Sequence, residues 1–211
     1  MKFLLHPTYF PNIATCAVMA QKDVIWEVHD NYQKQTFRNR TYICTDRGRL
    51  MLNIPIQHVG GEQGRQKYRE VKLKNEYTWQ RQHLKTLQTA YRTSPFFEFY
   101  EDELIPFFGR QFNYLLDMNF ESLKLIADII GLELPPEKTS SFEITVKNTN
   151  DVRYLVNAKE NLKWGQGPYT QVFQERHGFI QNTSILDLLF NEGPNTLSYL
   201  KNQNTNFLDT H

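Results

Sequence analysis

Residues 3–28 read FLLHPTYFPNIATCAVMAQKDVIWEV and decide the fold class. The apolar run at 3–5 predicts a short buried strand, and the β-branched and aromatic run at 24–28 predicts a second one. Between them, Asn12 is a favourable N-cap for a helix over residues 13–21. A strand, a helix and a strand in this order predict a βαβ-type opening and an α/β protein.

A hairpin is predicted after this opening. Residues 40–45 and 50–56 flank Gly48, which supplies the positive φ that a tight turn needs. Apolar residues alternate from Leu50 to Ile56, so one face of the second strand is expected to be buried.

The middle of the chain predicts helices. Apolar residues recur at helical spacing from residue 75 onward. Ser94 is predicted to cap an aromatic helix over residues 95–108, and Asn119 to cap a helix that ends at Gly131. The aromatic helix suits either the core or a contact between copies of the chain.

Two adjacent prolines at 135 and 136 mark the best candidate boundary. They divide an N-terminal α/β core with a helical region, 1–134, from a C-terminal extension, 135–211, although a single domain over 1–211 is the alternative. In the extension, residues 142–146 alternate like a strand and Ser184 begins a capping-box sequence. The predicted fold is α/β: a small mixed sheet with a βαβ-type opening, a helical middle region and a C-terminal α+β extension.

Composition excludes several classes of protein. The net charge of +1, from 24 basic and 23 acidic residues, argues against nucleic acid as a partner. Cys16 and Cys44 are too few for a disulfide framework or a zinc site, so we expect buried thiols in a reducing compartment. The chain shows no signal-peptide pattern and no apolar run of membrane-spanning length, which predicts a cytoplasmic protein.

The connection at residues 30–40, DNYQKQTFRNR, is longer than a hairpin requires. It carries a carboxylate, amides, cations and aromatic rings, which suit recognition of a polar ligand. We expect Tyr32, Lys34, Asn39 and Arg40 to contact a substrate, with Arg40 binding a phosphate or carboxylate. The alternative is a solvated loop held by salt bridges.

Two candidate bases follow the first two predicted strands. His6 ends the first strand, and Asp30 closely follows the second; ligands of open α/β sheets bind at the carboxyl ends of strands. Either side chain is a candidate general base. The structural alternatives are a histidine that merely ends a strand and an aspartate that caps a loop.

Other polar side chains extend the candidate site. His83, one helical turn after Trp79, is a third possible base or a core histidine. Tyr169 and Gln171 either contact the substrate or pack the C-terminal part of the chain. No metal or cofactor is expected, because the histidines lack metal-ligand spacing. Residues 57–69, which include His58, form either a lid or an ordinary loop.

Several stretches in a defined order and spacing match one protein family. They are HPTYFP at 6–11, the Tyr-x-Lys and Asn-Arg elements within 30–40, LNIPI at 52–56, the helix around His83, Ala90-Tyr91 with SPFF at 94–97, YTQVF at 169–173, GFI at 178–180 and SILDLLF at 184–190. With them the chain resembles the WbqC-like protein family over nearly its whole length. Many members of that family carry Gln at the position of His6.

The resemblance implies a biological setting. Members occur in gene clusters for O-antigen and related surface polysaccharides, and glycyl or other aminoacyl transfer has been proposed from that setting. It implies a cytoplasmic transferase that decorates a sugar or nucleotide-sugar intermediate. The alternatives are a non-catalytic protein that binds such an intermediate and a scaffold that assembles other enzymes through the aromatic helix at 95–108, which is also where a homo-oligomer would form.

The sequence thus assigns roles to ten residues. The candidate catalytic residues are His6, Asp30 and His83, and the candidate substrate-binding residues are Tyr9, Tyr32, Lys34, Asn39, Arg40, Tyr169 and Gln171.

Overall fold

The computed structural model of the protein describes residues 1–57, 65–159 and 162–209. The strands in chain order are β1 (Lys2–Leu5), β2 (Val24–Trp26), β3 (Arg40–Thr45), β4 (Gly48–Asn53) and β5 (Thr149–Asp151). The α-helices are α1 (Ile13–Gln21), α2 (Trp79–Tyr91), α3 (Phe97–Gly109), α4 (Leu115–Ile130), α5 (Gln174–His177), α6 (Ile185–Glu192) and α7 (Thr196–Asn202). Short 3₁₀ helices cover Tyr68–Glu70, Arg153–Val156, Gly193–Asn195 and Asn206–Asp209.

The main sheet has three parallel strands in the order β2-β1-β5. Helix α1 connects β1 to β2, which confirms the predicted βαβ opening. Its N-cap is Asn12, whose side chain accepts a 2.9 Å hydrogen bond from the Thr15 amide. Residues 13–19 of this helix are all buried, as expected for a helix enclosed by other elements. Because the three strands are parallel, their carboxyl ends lie at the same edge.

Strands β3 and β4 form a separate antiparallel pair. Gly48 begins β4 with φ of 93°, the conformation predicted for the turn. The predicted apolar face is buried at Leu52, Ile54 and Ile56, but Leu50 is 40% exposed. Leu50 lies near the turn, two residues after Gly48. The fold class predicted from the sequence is confirmed: helices surround a small mixed set of parallel and antiparallel strands.

Two predicted helix starts are wrong. Ser94 lies in the turn after α2 instead of capping α3, since its amide and its hydroxyl both donate to the Tyr91 carbonyl, at 2.8 and 2.7 Å. Asn119 lies inside α4, which begins at Leu115. Its buried side chain donates to the Arg38 carbonyl at 2.7 Å, so a long-range contact uses the group that was expected to cap the helix. The predicted stop at Gly131 is confirmed by its φ of 70°.

The strand predicted at 142–146 is absent. Phe142 is 41% exposed and Ile144 is 84% exposed, and no strand partner lies beside them. Alternation of apolar residues produces a strand only where another strand accepts its hydrogen bonds. The strand of this region is β5, at residues 149–151. It pairs with β1, the first strand of the chain.

The core draws on both halves of the sequence. Phe190 of α6 is fully buried, and its ring lies 4.9 Å from that of Tyr91 and 5.0 Å from that of Phe97. Helix α3 turns most of its aromatic residues inward, although Phe99 remains 76% exposed. The boundary near residue 134 stays a prediction. Among the described residues, no helix is both long and apolar enough to cross a membrane.

We expect Phe190→Ala to lower the free energy of unfolding by about 3–5 kcal/mol, because it leaves a cavity between α3 and α6. The matched control is Phe99→Ala, whose exposed ring should cost less than about 0.5 kcal/mol. Urea unfolding followed by circular dichroism measures both. Equal losses for the two variants would contradict the packing described for α6.

Candidate functional site

A cavity of about 430 Å³ lies where the carboxyl ends of the parallel strands meet. His6 follows β1, Asp30 follows β2 and Arg153 follows β5. The chain runs from β1 to β2 on one side, and β5 joins on the other, so the cavity lies at a switch point of the strand order. The lining residues are His6, Asp30, Gln33, Lys34, Thr36, Arg38, Phe142, Ile144, Arg153, Tyr154, Val156, Asn157 and Lys159.

A cluster of three side chains, His6, Asp30 and Arg38, forms the buried floor. The Arg38 Nη2 lies 2.8 Å from the His6 Nε2 and 2.8 Å from the Asp30 Oδ2. Arginine only donates, and Nη2 carries two hydrogens, so one goes to each acceptor. His6 therefore holds its own proton on Nδ1, which faces the Glu27 carbonyl at 3.4 Å.

The charges of this cluster follow from burial. Burial and the nearby positive charge of Arg38 lower the pKa of His6 to about 4, so the imidazole is neutral at pH 7. Burial alone would raise the pKa of Asp30. The positive charge of Arg38 and the hydrogen bond from the Asn31 amide, at 2.6 Å, outweigh it and leave that pKa lowered. The floor is thus a neutral imidazole beside an ionised aspartate–arginine pair.

Glu27 places Asp30. Its buried Oε1 accepts hydrogen bonds from the amides of His29 and Asp30, at 2.6 and 3.1 Å. A carboxylate that accepts consecutive amides fixes the turn after β2. Its Oε2 lies 3.7 Å from the Arg153 Nη1, which links the ends of β2 and β5.

Arg153 holds one wall of the cavity in place. Its guanidinium donates to the carbonyls of Glu143 and Ile144, at 3.0 and 2.7 Å. It also binds both carboxylate oxygens of Asp151 and lies over the Phe142 ring, 5.4 Å from the ring centre. The segment 142–144 lacks regular structure, so these contacts position it.

The rim of the cavity is cationic. Lys34 and Lys159 are exposed, and neither forms an ion pair with any residue in the part of the chain that the structure describes. Among the described residues, four cationic side chains and one carboxylate line the cavity. An anionic ligand would therefore meet favourable charge and two lysines free to bind it.

Tyr9 and His83 do not line this cavity. They contact each other in the core, with 3.0 Å between the Tyr9 hydroxyl and the His83 Nδ1. Burial lowers the pKa of His83 to about 4, and a hydrogen bond to the Asn53 backbone opposes this shift. The hydroxyl therefore donates to Nδ1, and the pair ties the loop after β1 to α2. The geometry matches the alternative of a core histidine.

Three residues of the 30–40 connection also lie off the cavity lining. The Asn39 amide donates to the Asn53 side chain at 3.2 Å and to the Ile54 carbonyl at 3.1 Å. Arg40 and Tyr32 are half-buried. Residues 37 and 38 form a turn, and Arg38, rather than the predicted Arg40, lines the cavity.

Tyr169 and Gln171 bind a buried carboxylate, Asp187, rather than lining the cavity. Asp187 accepts from both of them and from the Tyr91 hydroxyl, which is 2.5 Å away. Burial raises the pKa of Asp187, and the hydrogen bonds oppose that rise. The arrangement joins α6 to α2 and to the segment before α5, so these residues pack the C-terminal part of the chain.

Of the residues that the sequence analysis assigns to the site, His6, Asp30 and Lys34 line the cavity. Three further residues of this region were not assigned to the site. Arg38 appeared only as part of a charged segment, and Glu27 and Arg153 carried no signal of their own. Position was the one available clue: Glu27 and Arg153 lie just beyond the ends of β2 and β5, and Arg38 lies just before β3. His58 and the core of the 57–69 loop lie outside the described residues.

Comparison with known proteins gives a family and one relative. The model of the WbqC-like protein family matches residues 6–175. "Uncharacterized protein Rv1507c" of Mycobacterium tuberculosis is 26% identical, with 81% of this chain and 84% of that protein covered. No solved structure matches the chain significantly.

The buried neutral His6 makes the protein less stable in acid. Histidine in an unfolded chain has a pKa of about 6.5, whereas the pKa of His6 in the folded protein is about 4. Between these two pH values the unfolded chain binds a proton at His6 and the folded protein does not. Stability is therefore lost as the pH falls from about 6.5 to 4, by roughly 2.5 kcal/mol at pH 4.5. His6→Gln keeps an acceptor for Arg38 and should lack this loss.

Urea unfolding at pH 7.5 and pH 4.5 tests this expectation. His6→Gln should lose about 2.5 kcal/mol less than the original protein between the two conditions. His29→Gln is the control, since that ring is only half-buried, and it should lose as much as the original protein. An unchanged loss in His6→Gln would show that His6 is not held neutral.

Proposed function

The chain belongs to the WbqC-like protein family, and we propose that it is a group transferase whose substrate is a phosphorylated sugar. The family setting supports a role in the synthesis of O-antigen-like surface polysaccharides, with glycyl or another aminoacyl group transferred to a sugar intermediate. The proposal is for a cytoplasmic enzyme that needs no metal or other cofactor.

The cationic cavity at the carboxyl ends of the strands carries this proposal. Phosphate groups bind lysine ammonium groups as point charges, and Lys34 and Lys159 are available at the rim. The cavity volume of about 430 Å³ falls within the range of small-molecule sites. A sugar phosphate is therefore a better fit to this cavity than a protein partner would be.

Asp30 is the group we assign to the acceptor. Its carboxylate has about four acceptor positions, and two protein donors, the Asn31 amide and Arg38, use part of them. An acceptor hydroxyl or amine bound there would attack the acyl carbon, the bond to the donor's leaving group would break, and the proton would pass to Asp30. His6 and Arg38 position this carboxylate.

One observation favours a second function, non-catalytic binding of a nucleotide-sugar or glycan intermediate. Both nitrogens of His6 already face protein partners, and the pKa of Asp30 is lowered, which makes it a weak base. A site with this floor holds a ligand well even if it does not activate a nucleophile. Product formation separates the two functions.

We expect Lys34→Ala together with Lys159→Ala to weaken binding of a sugar 1-phosphate by at least tenfold, because two ammonium groups are lost. Lys201→Ala, an exposed lysine of α7, is the control and should leave binding unchanged. Isothermal titration calorimetry measures the three proteins. Unaltered affinity in the double variant would show that the phosphate does not bind to these lysines of the cavity.

A turnover assay tests the transferase itself. The protein is incubated with activated sugars and amino-acid donors, and the products are analysed by mass spectrometry. Asp30→Asn should abolish product at saturating substrate, because the amide cannot take a proton. Binding with no product in any donor and acceptor combination supports the binding protein instead.

A further inference from the structure

The wall of the cavity at residues 142–144 exposes apolar side chains in a site that is otherwise polar. Phe142 is 41% exposed and Ile144 is 84% exposed, and both line the cavity. Single exposed apolar residues are common on protein surfaces. Here two of them stand together beside a cationic rim, which is the arrangement of a site for a ligand with an apolar face.

The wall is held in a fixed position. Arg153 donates to the carbonyls of Glu143 and Ile144, and its guanidinium lies 5.4 Å from the centre of the Phe142 ring. Arg153 is itself held by Asp151, at the end of β5. A ring positioned before a ligand arrives loses little entropy on binding, so such a ring contributes to affinity.

The rim and the wall together indicate a ligand that has both phosphate groups and a flat ring. Lys34 and Lys159, which form no ion pair with any of the described residues, suit two phosphate groups better than one. An exposed phenylalanine offers a stacking surface to a flat ring, and any nucleobase has such a face. A simple sugar phosphate supplies the anion but no flat ring.

We propose that Phe142, positioned by Arg153, is a specificity-determining residue, and that the cavity takes a nucleoside diphosphate, such as the one carried by a nucleotide-sugar. The base lies against the Phe142–Ile144 wall and the diphosphate lies between Lys34 and Lys159. This inference rests on the proposed function, since it names the substrate class of the same cavity.

Calorimetric titration with UDP, ADP and pyrophosphate tests the inference. Both nucleoside diphosphates should bind at least tenfold more tightly than pyrophosphate, because base stacking adds to the phosphate contacts. Phe142→Ala should remove most of this advantage and leave pyrophosphate binding unchanged. Phe142→Tyr keeps the aromatic ring and should still bind the nucleoside diphosphates more tightly than pyrophosphate. Phe99→Ala is the control for an exposed phenylalanine elsewhere.

The outcomes separate this inference from the proposed function. Pyrophosphate or sugar 1-phosphate bound as tightly as UDP and ADP, with no effect of Phe142→Ala, would overturn the role of the wall and leave the phosphate site intact. A protein that binds none of these anions would remove both proposals. Circular dichroism of Phe142→Ala checks that the variant is folded, and loss of pyrophosphate binding in a folded Phe142→Ala would also count against the role of the wall.

Discussion

The buried guanidinium of Arg38 is the constraint on which the rest of the site depends. Its side chain has no exposed surface, and an unpaired charge in such a position is very costly. Asp30 supplies the opposite charge, the His6 lone pair accepts a second hydrogen bond, and the Tyr68 ring lies 5.1 Å away. The Nε and Nη1 of Arg38 have no hydrogen-bond partner among the described residues. Removing Asp30 would therefore leave a poorly compensated cation. The hydrogen bond from Arg38 to His6, which follows β1, holds the connection at 30–40 against the end of that strand.

This pairing also sets the chemistry of the cavity. A neutral histidine and an ionised aspartate lie 3.2 Å apart because the arginine between them donates a hydrogen bond to each. The floor then carries almost no net charge, and the rim lysines supply the attraction for an anion. A ligand can be drawn in by charge and still be positioned by hydrogen bonds on a floor that does not repel it.

The sequence predicted local structure well and long-range structure poorly. The N-cap at Asn12, the turn at Gly48 and the helix stop at Gly131 each depend on a few neighbouring residues, and all are confirmed. Asparagine is a common N-cap residue, but the Asn119 side chain donates a hydrogen bond to the carbonyl of Arg38, 81 positions earlier in the chain. The alternation at 142–146 lacked a partner strand, which no local pattern reveals.

In the candidate site, too, features that depend on local sequence were predicted and features that depend on long-range contacts were not. His6 and Asp30 followed from the general rule about strand ends, and the structure brings them together. Arg153 could not be predicted, because its place beside them depends on β5 pairing with β1 across most of the chain. The sequence assigns phosphate or carboxylate binding to Arg40, whereas Arg38 is the arginine of this segment that lines the cavity, because a turn at residues 37 and 38 precedes β3.

The origin of Arg153 and Lys159 bears on how the chain is organised. Both lie after residue 135, whereas His6, Asp30 and Lys34 lie near the start. The cavity therefore needs residues from both sides of the predicted boundary. A fragment over 1–134 would lack β5, the Arg153 tether and one of the two rim lysines. Whatever the two parts do while folding, they share one site, and a ligand that bridges the two lysines would stabilise their association through that site.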